Sequence, residues 1–277
     1  MKKINKFAFS FLILIFLIST AARSFAADAV DIVTVSPWVT VLTHFIGGIK
    51  VNVTPLTTWD NDRISRAKIN NILNTNPNII ALDDSEIRKT GLDTKDLSNI
   101  HVLFKNAPFE ASESDKYFGD PSVLPFIAQK LLPVLSSLDH DNFSYYQRRL
   151  AEFQTRLSST TLAGRNLLKG QKVLDLTLSS GYFLLAAGCD ILRPGAEDID
   201  AWARYKQLEK LHELVIGSQK ENRLVIIDAA TPRPIRSALG SFQNIISLPR
   251  PPLDQDFLTF LHNQYLMIWN GFKDKIK

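Results

Sequence analysis

The chain is expected to be an α/β protein of two similar parallel-sheet lobes joined by a long rigid helix, with a cleft between the lobes. Three observations predict this. Short β-branched runs alternate with helical patterns from Asp31 to Phe104, the same alternation returns from Lys172 to Leu248, and the stretch between them, Val123–Lys169, has no strand signal. Strand–helix alternation indicates parallel sheets with helices on their faces.

In the first lobe Asp31–Ser36 (DIVTVS) reads as a buried strand. Pro37 suits a helix start, Trp38, Val41, Leu42 and Phe45 recur at helical spacing, and Gly47-Gly48 ends the helix. Lys50–Leu56 is the next strand, and Thr57–Asp62 a polar loop. Ile64–Leu73 is a short helix, and Asn78–Leu82 and Ile100–Phe104 are further strands. Asp83-Asp84 and Glu110–Asp115 read as acidic, solvated loops.

In the middle, Asp120-Pro121 reads as the cap and first position of a helix that the polar run Asp139–Asn142 breaks. Phe143–Leu168 then carries Tyr146, Leu150, Phe153, Leu157 and Thr161 at three- and four-residue spacing, which predicts one helix about 39 Å long at 1.5 Å per residue. The second lobe follows with strands at Lys172–Leu176, Asp190–Arg193, Arg223–Asp228 and Asn244–Leu248. Helices are expected at Gly181–Gly188, Asp198–Ile216, Arg233–Leu239 and Phe257–Phe272. The expected division is 1–26 leader, 27–138 first lobe, 139–170 connecting helix and 171–277 second lobe.

The leader has the layout of a secretory signal peptide. Lys2, Lys3 and Lys6 precede an apolar run from Phe7 to Thr20, and Ser24-Phe25-Ala26 supplies small residues at the cleavage positions. An uncleaved anchor is the alternative, but about 14 apolar residues fall short of the roughly 20 that span a bilayer. The working protein is therefore expected in the periplasm, and no later stretch is apolar for long enough to cross a membrane.

The charge balance changes with that leader. The chain has 32 Lys+Arg and 28 Asp+Glu, and residues 1–26 hold four of the basic residues and none of the acidic ones. The remainder is near neutral, which gives no footprint for nucleic acid. Cys189 is the single cysteine, so there is no internal disulfide and no Cys-rich zinc site; it reads as a small buried hydrophobe. No nucleophile elbow, His-Glu-x-x-His, P-loop or dinucleotide fingerprint occurs, so nothing argues for an enzyme or a catalytic cofactor.

Ligands of open α/β folds sit beyond the carboxyl ends of strands. Asp228 ends the clearest strand and takes such a position, unless it only orders a loop. Thr177, Ser179, Ser180 and Tyr182 lie between a strand and a helix start, where hydroxyls hold a polar group or simply cap the helix.

The whole chain after the leader resembles the periplasmic solute-binding proteins of metal-type (zinc or manganese) ABC transporters. Ile32–Leu56 is similar to their opening strand, helix ending in Gly-Gly, and second strand. Phe118-Gly119-Asp120-Pro121 resembles their Trp-Leu-Asp-Pro turn, Leu138–Leu157 the start of their inter-lobe helix, and Gly181-Tyr182-Phe183 the opening of their first helix of the second lobe. The C-terminal helix through Tyr265 and Asn270 also fits.

The resemblance implies a metal held by histidines and carboxylates from both lobes, and here this sequence departs. The loop that carries the first histidine is Thr57-Thr58-Trp59-Asp60-Asn61-Asp62; the second position falls on Lys116 or Tyr117, the third on Thr177, and the fourth, a carboxylate, on Asp254 or Asp256. A site of Asp60, Asp62 and Asp254 would be oxygen-rich and would suit manganese. Lys116, Arg193, Arg233 and Arg236 would instead favour a polar or anionic solute. Trp59 either closes over a solute or packs at the lobe interface. The histidines at positions 44, 101, 140, 212 and 262 share no ligand motif.

The expected function is a monomeric periplasmic solute-binding protein with a divergent ligand site, docking on an ABC permease of the inner membrane and carrying a small ligand or a zinc or manganese ion. The alternative is an envelope accessory or interaction protein that has lost metal binding.

Overall fold

A computed structural model of the chain describes residues 29–59, 64–92, 99–105 and 114–274. The leader, Asp60, Asp62 and most of the Glu110–Asp115 cluster lie outside the described residues.

In the first lobe β1 (Val30–Thr34), β2 (Val51–Pro55), β3 (Asn78–Ala81) and β4 (Ile100–Val102) form one parallel sheet in the order β2-β1-β3-β4. Pro55, which cannot donate to a ladder, ends the edge strand. The helices are α1 (Pro37–Gly47), α2 (Arg66–Thr75), α3 (Asp84–Thr90) and α4 (Ser114–Phe118).

The second lobe repeats the design. Strands β5 (Lys172–Asp175), β6 (Asp190–Leu192), β7 (Leu224–Asp228) and β8 (Ile245–Leu248) pair in the order β6-β5-β7-β8, again all parallel. Between the lobes run α5 (Leu124–Leu138) and the 26-residue α6 (Phe143–Leu168). The second-lobe helices are α7 (Gly181–Ala186), α8 (Ala196–Ala203), α9 (Leu208–Lys220), α10 (Arg233–Ala238) and α11 (Phe257–Asp274).

Each sheet buries both faces, as parallel sheets do. In the second lobe Val173, Leu224 and Ile226 face α6 and α11, while Leu174, Val225 and Ile227 turn to the outer helices α8–α10 around Trp202 and Leu211. The inner faces of both sheets, α1, α5, α6 and α11 share one apolar cluster that runs through the whole molecule. Helix α6 is its spine. It buries Tyr146, Leu150, Phe153, Leu157, Gly164 and Leu168 along one stripe.

Two arginines on the spine reach opposite lobes. Arg149 Nε and Nη2 donate to the Phe45 carbonyl at the end of α1, at 3.0 and 2.7 Å. Arg156 forms a two-pronged pair with Asp256 at 2.8 and 2.9 Å, and Asp256 also accepts from the Thr259 N–H in the first turn of α11. Burial alone would raise the Asp256 pKa; the bonds from Arg156 and Thr259 outweigh it and hold the carboxyl below its ordinary value.

Three expectations need correction. The single helix Asp198–Ile216 is two helices: Tyr205 and Gln207 take positive φ (59° and 54°) and break the chain between α8 and α9. Buried Trp202 anchors α8, and the polar run from Arg204 to Gln207 has no apolar side chain for the core except Tyr205, which stays 66% exposed. The helix expected from Asp120 starts instead at Leu124, with Asp120 ordering the preceding turn through Ser122 and Pro125 in the first turn. Asp83 is not solvated; it is a buried cap of α3 that accepts from the Glu86 N–H at 2.8 Å.

Glu86 is itself buried and accepts from the Leu82 N–H at 2.8 Å. Burial pushes its pKa up to about 7 from 4.5, against the opposing bond from the Leu82 N–H. Its contribution to stability is therefore complete below the unfolded value and is lost as pH rises toward 7. Glu86→Gln should leave urea stability unchanged near pH 4 and raise it by up to about 3 kcal/mol at pH 8.

Gly164 sets the approach of α6 and α11, because a Cβ there would lie 2.5 Å from the Tyr265 ring. Gly164→Ala should cost about 1–3 kcal/mol in urea unfolding through overpacking.

Candidate functional site

The identical strand orders place a switch point between β1 and β3 in one sheet and between β5 and β7 in the other. Crevices open there, beyond the carboxyl ends of the strands. The two crevices face each other and enclose a partly open cavity at the lobe boundary. Trp38 follows β1, Ser179 and Ser180 follow β5, Asp228 ends β7, and Pro249 and Arg250 follow β8; all line it. The rest of the wall is mainly aromatic and aliphatic, from α4 and α11.

On the first-lobe side Trp38 stacks on Phe118 with ring centres 5.1 Å apart and meets Trp59 edge-on at 4.9 Å. Its Nε1–H donates to Asp115 Oδ1. On the second-lobe side Arg250 extends across the mouth. Its Nη1 donates to the Trp59 carbonyl at 2.9 Å, its guanidinium lies over the Trp59 ring at 5.3 Å, and its Nη2 lies 3.7 Å from Asp115 Oδ2. Trp59 Nε1–H returns a bond to the Pro251 carbonyl at 2.7 Å. Trp59 thus packs at the lobe interface, bound from both of its polar ends.

Asp228 is buried at the cavity's edge and is engaged by its own loops. Oδ2 accepts from the Ser179 N–H at 2.9 Å and from its hydroxyl at 2.6 Å, with the Ser180 hydroxyl at 3.4 Å, and Oδ1 accepts from Thr231 at 2.9 Å. It orders the β5–α7 loop. Thr177 points elsewhere: its N–H and hydroxyl donate to Asp175 Oδ1, at 2.9 and 2.6 Å, and Asp175 also pairs with Arg193. Arg193 is thereby held behind Gly181. Arg233 and Arg236 are exposed on α10, Lys116 is exposed on α4, and Tyr117 packs half-buried against the shared core.

Asp254 lies at a separate opening, with His44, Arg149, Gln255 and Asp256. Burial lowers the His44 pKa, and the nearby Asp254 carboxylate opposes that effect. Among the described residues no group of three or more His, Cys, Asp or Glu side chains is placed to hold a metal ion. Burial pushes the Cys189 thiol up to about 12, with a smaller contribution from Asp175, which makes it a poor nucleophile.

Three cavity residues escaped the sequence: Asp115, Arg250 and Gln264. Asp115 sat in an acidic run that read as solvated. Arg250 follows a strand directly, the one local signal that marked it. Gln264 lies on the buried stripe of α11, where a polar residue among Leu261, Tyr265 and Ile268 was the available clue.

No protein-family model and no curated protein sequence matches the chain. Solved structures do. ZnuA is similar over 88% of this chain and 99% of its own, with 17% identity and a TM-score of 0.62. The laminin-binding protein Lmb of Streptococcus agalactiae, described as bifunctional with adhesin and metal-transporting activity, has 13% identity and a TM-score of 0.64 over 88% of this chain and 100% of its own. The SBP FpvC from Pseudomonas aeruginosa, solved in complex with Mn2+, has 14% identity and a TM-score of 0.61 over 90% of this chain and 100% of its own. The likeness is one of fold: two α/β lobes about a long central helix.

Arg250→Ala should free Trp59 at the cleft mouth. Acrylamide quenching of tryptophan fluorescence is expected to rise, with a loss of about 1 kcal/mol in urea stability for the surrendered bond and ion pair.

Proposed function

We propose that this protein is a periplasmic solute-binding component of an ABC transporter, built on the metal-ion scaffold but with a divergent ligand site. The observation that carries the reading is the pair of crevices facing each other at the switch points of two like sheets, on the fold shared with ZnuA and with FpvC bound to Mn2+. Export through the leader, docking of the two lobes on an inner-membrane permease, and action as a monomer belong to this reading. Among the described residues no helix is long and apolar enough to cross a membrane. Nucleic acid is not a partner in this reading, and no step of it is catalytic.

Zinc or manganese is the cargo to test first. Its ligands would be drawn from Asp60, Asp62 and Asp254, with Trp59, Lys116, Tyr117, Thr177, Ser179 and Asp228 shaping the surroundings. A zinc or manganese site needs several oxygen, nitrogen or sulfur donors converging on one point. Of those three carboxylates, Asp254 lies beside His44.

A second reading is an envelope accessory or interaction protein that keeps the scaffold without metal binding. Lmb is described as an adhesin as well as a metal transporter, so the scaffold tolerates an interaction role.

Metal analysis of untagged exported protein, followed by zinc and manganese titration of the chelator-stripped form, separates the two. The transport reading with metal cargo expects one tightly held ion per chain, a raised melting temperature, and loss of both in Asp60→Ala and Asp254→Ala. No metal and no thermal shift would retire metal as the cargo.

A further inference from the structure

We infer that the mouth of the cleft is a niche for a guanidinium-type cation, and that the chain fills it with its own Arg250, a tethered ligand that keeps outside cations out. The groups around the guanidinium are electron-rich. The Trp59 carbonyl accepts from Arg250 Nη1 at 2.9 Å, Asp115 Oδ2 lies 3.7 Å from Nη2, and the Trp59 ring centre lies 5.3 Å from the guanidinium, which stands over its face. A carbonyl, a carboxylate and an aromatic face each attract a cation. The other Asp115 oxygen accepts from Trp38 Nε1–H, which holds the carboxylate in place. Trp59 and Asp115 belong to the first lobe and Arg250 to the second, so the guanidinium is a point on which the two lobes meet.

The loop that carries Arg250 is itself fixed. Arg250 stands between Pro249 and Pro251, and a residue that precedes proline is held to extended backbone. The carbonyls on both sides of it are pinned, Pro249 by Gln264 Nε2–H at 2.9 Å and Pro251 by Trp59 Nε1–H at 2.7 Å. Little backbone freedom is therefore lost when the guanidinium seats. A group tethered in this way acts at an effective concentration of about a millimolar or more, so a free cation of millimolar affinity does not displace it. Lysine would not serve in its place. An ammonium group has no fork to span the carbonyl and the carboxylate, and no flat face for the ring.

The contact is autoinhibitory. Arg250 lines the cavity behind the mouth together with Pro249 and Pro251, so a cation that enters between the lobes meets its charge. The two carboxylates on the same wall are engaged by the chain, Asp115 by Trp38 and Arg250 and Asp228 by Ser179 and Thr231. The inference holds under either functional reading. Zinc and manganese titration of the parent protein tests the cargo, whereas the niche is tested on variants that lack its own cation.

The test is chemical rescue of exported Arg250→Ala protein with methylguanidinium chloride, read by acrylamide quenching of tryptophan fluorescence and by ligand-observed NMR. Methylguanidinium is expected to return the raised quenching of the variant to the parent's level along a saturable curve, with a millimolar dissociation constant suited to so small a fragment. Methylammonium chloride and sodium chloride at equal ionic strength should not restore it, and the parent protein should bind none of the three. Arg250→Lys, which keeps the charge, should be quenched as strongly as Arg250→Ala. Asp115→Asn in the Arg250→Ala background should weaken the rescue about threefold or more. Five results would each overturn the assignment: rescue by methylammonium or sodium as complete as by methylguanidinium, which would reduce the contact to screening; no saturable rescue; saturable binding of methylguanidinium by the parent; an Arg250→Lys protein quenched like the parent; or a rescue that Asp115→Asn leaves unchanged.

Discussion

Everything in this molecule depends on one apolar core that does not stop at the lobe boundary. The inner faces of the two sheets join one cluster with α1, α5, α6 and α11; α1 covers the first sheet and packs on α6, and α6 packs along α11, where Gly164 admits the Tyr265 ring. Phe183, from the first helix of the second lobe, stacks on that ring with centres 4.2 Å apart. A flexible strand hinge would let two lobes swing freely. A shared core cannot, since separating the lobes would expose the buried stripe of α6 at about 25 cal/mol for each square ångström. Arg149 and Arg156 reinforce the spine by gripping one lobe each. The motion available is a small adjustment of packed helices rather than a wide opening.

That rigidity gives the cleft its character. Its mouth is closed by contacts within the chain: Arg250 to the Trp59 carbonyl and ring, Arg250 toward Asp115, and Trp59 to Pro251. A positive side chain from one lobe thus meets a carboxylate and a carbonyl of the other, an arrangement in which a bound cation is not needed to join the lobes. The carboxylate most deeply placed, Asp228, is committed to ordering the serine loop beside it. Gln264 lies buried at the cavity wall, its Nε2–H on the Pro249 carbonyl. The scaffold is that of metal-carrying relatives in fold, while the inner chemistry of the described residues is that of a small, mostly apolar pocket.

Much of the architecture was legible because it rests on short-range patterns. β-branched runs marked the strands, Pro37 and Gly47-Gly48 bracketed the first helix, and the regular spacing of Tyr146, Leu150, Phe153 and Leu157 marked the spine. The break at Tyr205–Gln207 was hidden because left-handed backbone at non-glycine residues leaves no compositional trace. The clasp was hidden for another reason. Asp115, Trp59 and Arg250 are far apart in sequence, and an acidic residue in an acidic run reads as solvated until a distant tryptophan and arginine are brought against it. Asp228 and Ser179 stood out as candidates because one ends a strand and the other follows one, and both line the cavity, but their bond to each other left no trace in the sequence. Gln264 differs from its neighbours only in being polar on a buried stripe, and helical spacing marks a position as buried without saying what it faces.

The two lobes and their cleft form one preorganised body. Small-angle X-ray scattering of the exported protein without added solute tests it most directly. A shared core predicts a single compact species with a radius of gyration of about 18 Å, as expected for a globular chain of this length, unchanged when zinc or manganese is added. A larger value that contracts on addition of either ion would show lobes that swing apart about a flexible connection.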